Sequence, residues 1–133
     1  ECKMLLNRSG KNPLNSVNCI VSKNEFLEMQ SEVQNVFVSD DMARYIVSLI
    51  SATRKHPLLS RGASPRATLS LTDMAKAVAF AEGRDYIVPR DVQNIFICTV
   101  NHRIILNAKA SASKKNSEEI LHEILRKTPK PRT

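Results

Sequence analysis

The longest helical pattern in the chain is SPRATLSLTDMAKAVAFAEG, residues 64–83. Ser64 is a favourable helix cap, and Pro65 suits the first helical position, where its missing N–H is not needed. Gly83 suits the left-handed conformation that ends many helices. The alanine- and leucine-rich residues between them are apolar on most sides, so the pattern predicts a central helix, the most buried of the chain. Its core positions are Leu71, Met74, Ala75, Val78 and Ala81.

A second helix is predicted before this one. Ser39 is its cap, and the acidic pair that follows, Asp40–Asp41, suits the positive end of the helix dipole. Pro57 disfavours helical geometry at the residue before it, so the helix must end near His56. Residues 58–63 are then expected to form a loop. Apolar spacing predicts a side that packs inward, made of Met42, Ile46, Leu49, Ile50 and Thr53.

Two more helices are predicted towards the carboxyl terminus. Pro89 opens one, with Asp91 in its first turn. Its core side consists of Val92, Ile95, Phe96 and Val100. Residues 108–115 are small and polar and predict a flexible connection. Ser117 is expected to cap a last amphipathic helix, whose apolar residues are Ile120, Leu121, Ile124 and Leu125.

Strand patterns are short and lie near the amino terminus. Val17, Cys19 and Val21 alternate with Asn18 and Ile20, although the apolar Ile20 blurs the pattern, and residues 36–38 are a second candidate that would pair with them. Between them, Ser22 and Glu25 have the spacing of a capping box for a short helix. The chain therefore predicts an all-α fold, mainly a helical bundle, with a possible small two-stranded β ribbon.

The positive charge is concentrated at one end of the chain. The net charge is +7, and residues 107–133 contribute +4 of it, from 7 basic and 3 acidic side chains. These residues hold no Tyr, Phe or Trp on which a base could stack, so a solvated tail is favoured over a nucleic-acid interface. No apolar run approaches about 18 residues, the length of a membrane span, and no leader opens the chain. The three cysteines are scattered, which indicates reduced thiols and a cytoplasmic protein.

The motifs of self-sufficient nucleotide-binding and hydrolytic sites are missing. A phosphate-binding loop needs closely spaced glycines, whereas the chain has only Gly10, Gly62 and Gly83. Neither HExxH nor GxSxG occurs. Asp40–Asp41 is not a metal or acid–base pair, because adjacent residues on a helix point in different directions. We therefore expect no metal site and no enzymatic activity from this chain alone.

Several runs together carry a specific resemblance. ATRKHPLL (52–59) is followed by GASPRA (62–67), and GRDYIVPRDV (83–92) is followed by HRI (102–104). These runs resemble the C-terminal lid domain of the MoxR family of AAA+ ATPases, and the similarity covers nearly the whole chain. One departure is Val88, where the family commonly has Thr or Ser as a helix cap.

The resemblance implies a domain organisation and a set of partners. Residues 1–15 would be the end of the ATPase core and a linker. Residues 16–133 would be the helical lid, with central helices over 39–106 and a closing helix over 117–127. The implied partners in the full-length protein are its own ATPase core with ATP and Mg²⁺, ring-forming copies of itself, and client proteins remodelled in a chaperone-like way. No bound nucleotide is expected on this chain alone, and neither membrane nor nucleic acid is an expected partner.

Arg66 is the main site residue that the resemblance implies. AAA+ lids present an arginine, called the second sensor, at the start of a lid helix, where it reaches the ATP phosphates across the cleft between core and lid. Arg66 follows Ser64–Pro65 directly, and its planar guanidinium suits phosphate oxygens. Weaker candidates for the ATP site are Arg54, Tyr45 and Ile46. The alternative for Arg54 is a structural role, because the end of a helix favours a positive charge. The alternative for Ile46 is packing in the core.

Two other classes of function remain open from the sequence. A basic helical nucleic-acid-binding module would bring the helix start at residues 64–66 to a backbone phosphate, with salt-sensitive duplex binding. A structural docking domain would use the apolar side of the last helix as a partner-binding surface. In that case, deletion of residues 117–133 abolishes partner binding without unfolding the domain.

Overall fold

The computed structural model describes residues 2–3 and 13–131. The predicted end of the ATPase core and its linker, residues 1–15, lies largely outside these ranges. The chain divides into two compact units, residues 1–30 and residues 31–133, and the division falls within a helix. The boundary between core and lid that the sequence suggested after residue 15 stays a prediction.

The described elements are mostly helical, which confirms the predicted all-α fold with a small two-stranded ribbon. In chain order they are a 3-10 turn (Pro13–Ser16), helix α1 (Lys23–Asn35), helix α2 (Asp40–Lys55), strand β1 (Leu59–Arg61), helix α3 (Pro65–Ala81), helix α4 (Pro89–Val100), a second 3-10 turn (Asn101–Arg103), strand β2 (Ile105–Leu106), helix α5 (Ala108–Ala112) and helix α6 (Ser117–Lys127).

Helix α1 begins with the predicted capping box. The Ser22 N–H donates to Glu25 Oε2 at 2.7 Å, and the Glu25 N–H donates to Ser22 Oγ at 3.2 Å. Hydrogen bonding to the Ser22 side chain, and then to its backbone, lowers the pKa of Glu25. The apolar side chains Phe26 and Leu27 are 55% and 50% exposed.

Helix α2 agrees with its prediction at both ends and along its core side. Ser39 Oγ accepts a hydrogen bond from the Met42 N–H at 3.3 Å, and the backbone becomes extended at His56. The predicted core residues are all buried, and Tyr45 is buried with them. The helical spacing therefore identified the correct side of α2, which packs against α3 and α6.

The prediction that the long helix is the most buried one was wrong. In α3, Leu69 is 67% exposed, Met74 is 46% exposed and Ala81 is also exposed. The buried stripe repeats every four residues and consists of Ala67, Leu71, Ala75 and Ala79. Three of these four are alanine, whose small side chain allows a neighbouring helix to approach closely. A composition rich in alanine made every side of α3 look apolar, whereas only one side packs.

Helix α4 is the more fully buried helix. Its buried residues are Pro89, Asp91, Val92, Ile95, Phe96, Thr99 and Val100. Gly83 ends α3 as predicted, with φ of 73°. The Arg84 N–H donates to the Ala79 carbonyl at 2.9 Å and the Gly83 N–H to the Phe80 carbonyl at 2.9 Å, which is the pattern of a Schellman motif. This turn sends the chain back along α3 as α4.

The ribbon lies in a different place from the one predicted. Residues 17–21 form no strand, with Val17 71% and Ile20 94% exposed, and residues 36–38 contribute one isolated bridge from Phe37 to Tyr86. The two strands are β1 and β2, antiparallel and irregular in register. Their residues lie about 45 positions apart in sequence, so alternation within a short window could not detect them.

Two details near the carboxyl terminus also differ. Helix α5 occupies part of the predicted flexible connection, and its Asn107 cap accepts a hydrogen bond from the Ala110 N–H at 3.1 Å. Asn116, not Ser117, caps α6, through a bond from the Glu119 N–H at 2.8 Å. The apolar side of α6 packs into the core, with Ile120 and Leu121 both 0% exposed. The apolar side of α6 is therefore not free to be the partner-binding surface that the docking alternative named.

No helix in the described ranges combines the length and hydropathy that a membrane crossing requires. Likewise, the described residues contain no group of three or more His, Cys, Asp or Glu side chains arranged to hold a metal ion.

Candidate functional site

The candidate site lies where α2 ends and α3 begins. The chain leaves α2 at Lys55, forms β1, and reaches α3 through the loop Gly62–Ser64. Within residues 51–67 there are four Arg and Lys side chains and no Asp or Glu. This part of the surface therefore has a positive charge that no acidic residue of the same segment offsets.

The loop is held against α2 by a buried hydroxyl. Thr53 is 0% exposed, and its Oγ1 donates to the Ile50 carbonyl oxygen at 2.6 Å and accepts from the Ala63 N–H at 2.9 Å. Ala63 is also 0% exposed. A hydroxyl has one proton and two acceptor positions, so it serves both partners at once. Sequence reasoning placed Thr53 on the core side of α2 but missed this bond.

Gly62 brings the loop into contact with the backbone of α2. A Cβ atom at this position would lie 2.5 Å from both the Cα and the N of Arg54. Real side chains essentially never approach a backbone so closely, so only glycine fits without a shift of the loop. The start of α3 is consequently tied to the last turn of α2 at two successive residues, Gly62 and Ala63.

Arg66 follows in the first turn of α3. Ser64 occupies the cap position without a side-chain cap bond, Pro65 is the first helical residue, and the first turn contains no acidic residue. The Arg66 side chain is exposed. Within the described part of the chain it has no hydrogen-bond or ion-pair partner, so its guanidinium is available to an anion from outside this domain.

Arg54 is brought to the same junction. It is exposed on the last turn of α2, and its Nη2 donates to Ser51 Oγ at 3.1 Å. The contact of its backbone with Gly62 places it beside the loop that leads to Arg66. Two of the four predicted site residues therefore share one junction.

Tyr45 and Ile46 are placed in the core. Ile46 is 0% exposed and Tyr45 is 3% exposed. The Tyr45 hydroxyl accepts a hydrogen bond from Gln93 Nε2 at 3.1 Å, which ties α2 to α4. This burial agrees with the core-packing alternative for Ile46. Their place in an ATP site stays a prediction, which the geometry of this domain does not favour.

The turn between α3 and α4 holds a charged pair that sequence reasoning missed. Asp91 is only 1% exposed, and its two carboxylate oxygens accept hydrogen bonds from Arg84 at 2.9 and 2.7 Å. Arg84 also pairs with Glu82 at 2.7 Å. The bonds to Asp91 first, and to Glu82 second, raise the pKa of Arg84. The sequence indicated Asp91 only as a helix-start acid, because the Arg84 partner lies seven residues away in a turn.

A cleft of about 610 Å³ contains none of the predicted site residues. Phe37 and Tyr86 are exposed in its lining, at 63% and 50%, and Pro131 also lines it. The junction of α2 and α3 therefore stays the candidate site, because it holds the two exposed arginines, Arg54 and Arg66, among the four predicted site residues.

A family model described as AAA lid domain matches residues 51–124, more than half of the chain and all of the α2–α3 junction. The chain belongs to the AAA lid domain family. Its fold agrees with that of a solved structure, a proposed ATPase from Cytophaga hutchinsonii ATCC 33406. That structure has a TM-score of 0.85 and 35% identity, over 96% of this chain and 41% of the other.

The relatives of this lid domain indicate the MoxR branch of the AAA+ ATPases. Chaperone MoxR1 of Mycobacterium tuberculosis is 31% identical over 121 residues, 84% of this chain and 32% of that protein. Protein MoxR of Methylorubrum extorquens is 41% identical over 49 residues. Uncharacterized protein YeaC of Bacillus subtilis is 34% identical over 125 residues, 94% of this chain. The lid domain spans only 39% of YeaC, and a smaller share of the two MoxR proteins.

Proposed function

We propose that this chain is the lid of a MoxR-type AAA+ ATPase in which Arg66 acts as the second sensor, contacting the phosphates of ATP held by the ATPase core. The observation that carries the proposal is the exposed guanidinium of Arg66 on the first turn of α3. That turn contains no acid, and no described residue pairs with the guanidinium. The family match to an AAA lid domain supports the same assignment.

The local charges favour an anionic ligand. A helix amino terminus carries a partial positive charge and favours anions, so an arginine placed there is mildly unfavourable until an anion binds. Guanidinium offers a planar fork of donors that matches phosphate oxygens, and Arg54 adds a second positive charge at the same junction. ATP with Mg²⁺ would supply the phosphoryl group. The role of Arg66 is to bind the phosphates and to stabilise the charge that develops on them during transfer.

The wider role of the protein follows from this assignment. The lid contributes the arginine and moves against the core as ATP is hydrolysed, and this motion is coupled to chaperone-like remodelling of client proteins by a ring of copies in the cytoplasm. One relative carries the name chaperone, which supports this part of the proposal. The chain alone is expected to show no ATP turnover, and a clear turnover rate from the purified 133-residue chain would contradict the proposal.

The test is Arg66→Ala in a protein that contains both this lid and the ATPase core proposed for it. We expect kcat for ATP hydrolysis to fall by roughly a hundredfold, the usual effect of removing one donor that stabilises developing charge. ATP affinity should change much less, because the interaction strengthens in the transition state. The two quantities are separated by steady-state turnover and by equilibrium titration of ATP.

Arg90→Ala is the matched control. Arg90 is also an exposed arginine that directly follows the proline at the start of a helix, here α4. We expect its turnover to stay close to that of the unmodified protein. Equal losses of turnover in the two variants, or no loss in Arg66→Ala, would contradict the second-sensor role.

A duplex-DNA titration at low and high salt tests the nucleic-acid alternative, which predicts binding that weakens steeply with salt and depends on Arg66.

A further inference from the structure

The position of Arg66 depends on a short and stiff connection. Ala63 precedes Arg66 by only three residues, and one of these is Pro65, whose ring fixes the backbone angle φ near −65°. Ser64 is extended and adjoins the helix directly. Little freedom therefore separates Ala63 from the backbone of Arg66, so a shift of Ala63 moves the start of α3 with it.

Ala63 is in turn fixed from α2. The bond from its N–H to Thr53 Oγ1, at 2.9 Å, lies in a site where both residues are 0% exposed. The close contact between Gly62 and Arg54 fixes the neighbouring residue. Of these two contacts, only the hydrogen bond to Thr53 is made by a side chain. Its hydroxyl can be replaced by a methyl group without a large change of shape.

We propose that Thr53 is a positioning residue for Arg66: its buried hydroxyl holds Ala63 and thereby sets the place from which the guanidinium reaches the phosphates. This inference rests on the second-sensor role proposed above. Thr53 itself does not contact the ligand, because none of its surface is exposed. The Thr53 hydroxyl affects the position of Arg66 only by fixing the backbone of the loop that leads to Pro65.

A purely structural role for Thr53 makes a different prediction. Thr53→Val keeps the shape of the side chain but leaves the buried Ala63 N–H without its partner, which destabilises the loop whatever Arg66 does. If this were the whole effect, loss of turnover would follow loss of folded protein and would be independent of Arg66. If Thr53 acts through Arg66, the two substitutions must be coupled, because removing Arg66 removes what Thr53 positions.

The experiment is a double-mutant cycle in the protein that joins lid and core, with Thr53→Val, Arg66→Ala and the combination of both. We expect Thr53→Val to lower kcat for ATP hydrolysis about tenfold, since a displacement of about an ångström has large effects on a catalytic group. The KM for ATP should change less. In the Arg66→Ala background, Thr53→Val should lower kcat no further. Thr53→Ser keeps the hydroxyl and should restore most of the turnover.

Two control variants separate positioning from stability. Thr99→Val makes the same substitution at a buried threonine whose hydroxyl has no partner in the described part of the chain, and turnover should be unchanged. Ile120→Val removes one methyl group from the core at α6. It destabilises the lid from a helix remote in sequence from the loop and leaves the Thr53–Ala63 bond in place, so its kcat per folded protein should also be unchanged.

The outcomes distinguish this inference from the function on which it rests. If Arg66→Ala slows turnover and Thr53→Val does not, the inference fails and the second-sensor role stands. If Thr53→Val lowers kcat by the same factor with and without Arg66, its role is structural and the inference is again overturned. If Arg66→Ala leaves turnover unchanged, the proposed function fails, and any effect of Thr53→Val then has another cause.

Discussion

Helices α3 and α4 begin with the same dipeptide, proline followed by arginine, and yet the two helix starts differ in chemistry. Pro65–Arg66 opens α3 and Pro89–Arg90 opens α4, each with proline at the first helical position. The next residue is alanine in α3 and aspartate in α4. This third position, together with its surroundings, decides whether the domain itself supplies a negative charge and a hydrogen-bond acceptor to the helix start.

The start of α4 is satisfied internally. Asp91 accepts a hydrogen bond from the Val88 N–H at 2.8 Å, which is one half of a capping box, and its carboxylate also binds Arg84. The valine side chain at the cap position has no acceptor to offer, and the Asp91 N–H instead donates to the Val88 carbonyl oxygen at 3.0 Å. The negative charge that a helix start favours is thus supplied by the chain itself.

The start of α3 is not satisfied in this way. Ala67 stands where α4 has its aspartate, and it is 0% exposed and carries no polar group. The side chain of Ser64 makes no cap bond. A Pro–Arg helix start is therefore a candidate anion site only when the domain does not itself provide the anion. On this criterion α3 qualifies and α4 does not.

The largest effect on stability is expected from removing the carboxylate of Asp91 at the start of α4. Asp91→Ala removes the buried partner of Arg84, which keeps its pair with Glu82. It also leaves the Val88 N–H unpaired, so the free energy of unfolding should fall by about 3 kcal/mol. Urea denaturation of the 133-residue chain measures this loss. Asp91→Asn, which keeps an acceptor but not the charge, should lose less. A loss in Asp91→Ala below about 0.5 kcal/mol, the range of ordinary surface substitutions, would show that α4 does not depend on this pair.

A smaller effect is expected from an ion-pair cluster on α6, in which a half-buried carboxylate binds two exposed lysines. Glu123 binds Lys127 at 2.7 Å and Lys115 at 2.9 Å, and these bonds, that to Lys127 first, lower the pKa of Glu123 from 4.5 to about 2. Because the folded-state pKa is depressed, the stabilisation is present above pH 4.5 and is lost as the pH falls towards about 2.

The measurement is the thermal midpoint of the chain as a function of pH, compared with that of Glu123→Gln. The difference between the two proteins should be present near neutral pH and should vanish as the pH approaches about 2. Glu118→Gln, on the same helix, is the control and should show no such convergence. A difference that persists unchanged at low pH would mean that Glu123 acts through packing and not through its charge.

The smallest effect on stability is expected at the two arginines themselves. Arg66→Ala and Arg90→Ala should each change the free energy of unfolding by no more than about 0.5 kcal/mol, because both side chains are exposed. Arg66→Ala should be neutral or slightly stabilising, since it removes a positive charge from the positive end of a helix. Urea denaturation measures both. If Arg66→Ala lost more than about 1 kcal/mol, its guanidinium would be part of the packing, and a loss of turnover in that variant could not be assigned to ATP.

Much of the fold was predictable because its signals are local. Four features depend only on residues within one or two helical turns. They are the core side of α2, the Ser39 cap, the end of α2 before Pro57 and the left-handed Gly83. The β ribbon was not predictable in the same way. Its strands contain three and two residues and lie about 45 positions apart in sequence, so their formation depends on helices that bring them together.

The sequence by itself determined the helical fold, because helical spacing depends on neighbouring residues. Its short runs also carry the resemblance to MoxR lids that implies Arg66 as a site residue. Only the tertiary structure decided which side of α3 is buried, that Asp91 is paired with Arg84, and that Thr53 holds the loop before Arg66. The physical reason is that these facts depend on contacts between segments. Helical alanines look alike on every side until a neighbouring helix packs against one of them. Likewise, a hydroxyl becomes a positioning group only when the fold brings a buried N–H within hydrogen-bonding distance.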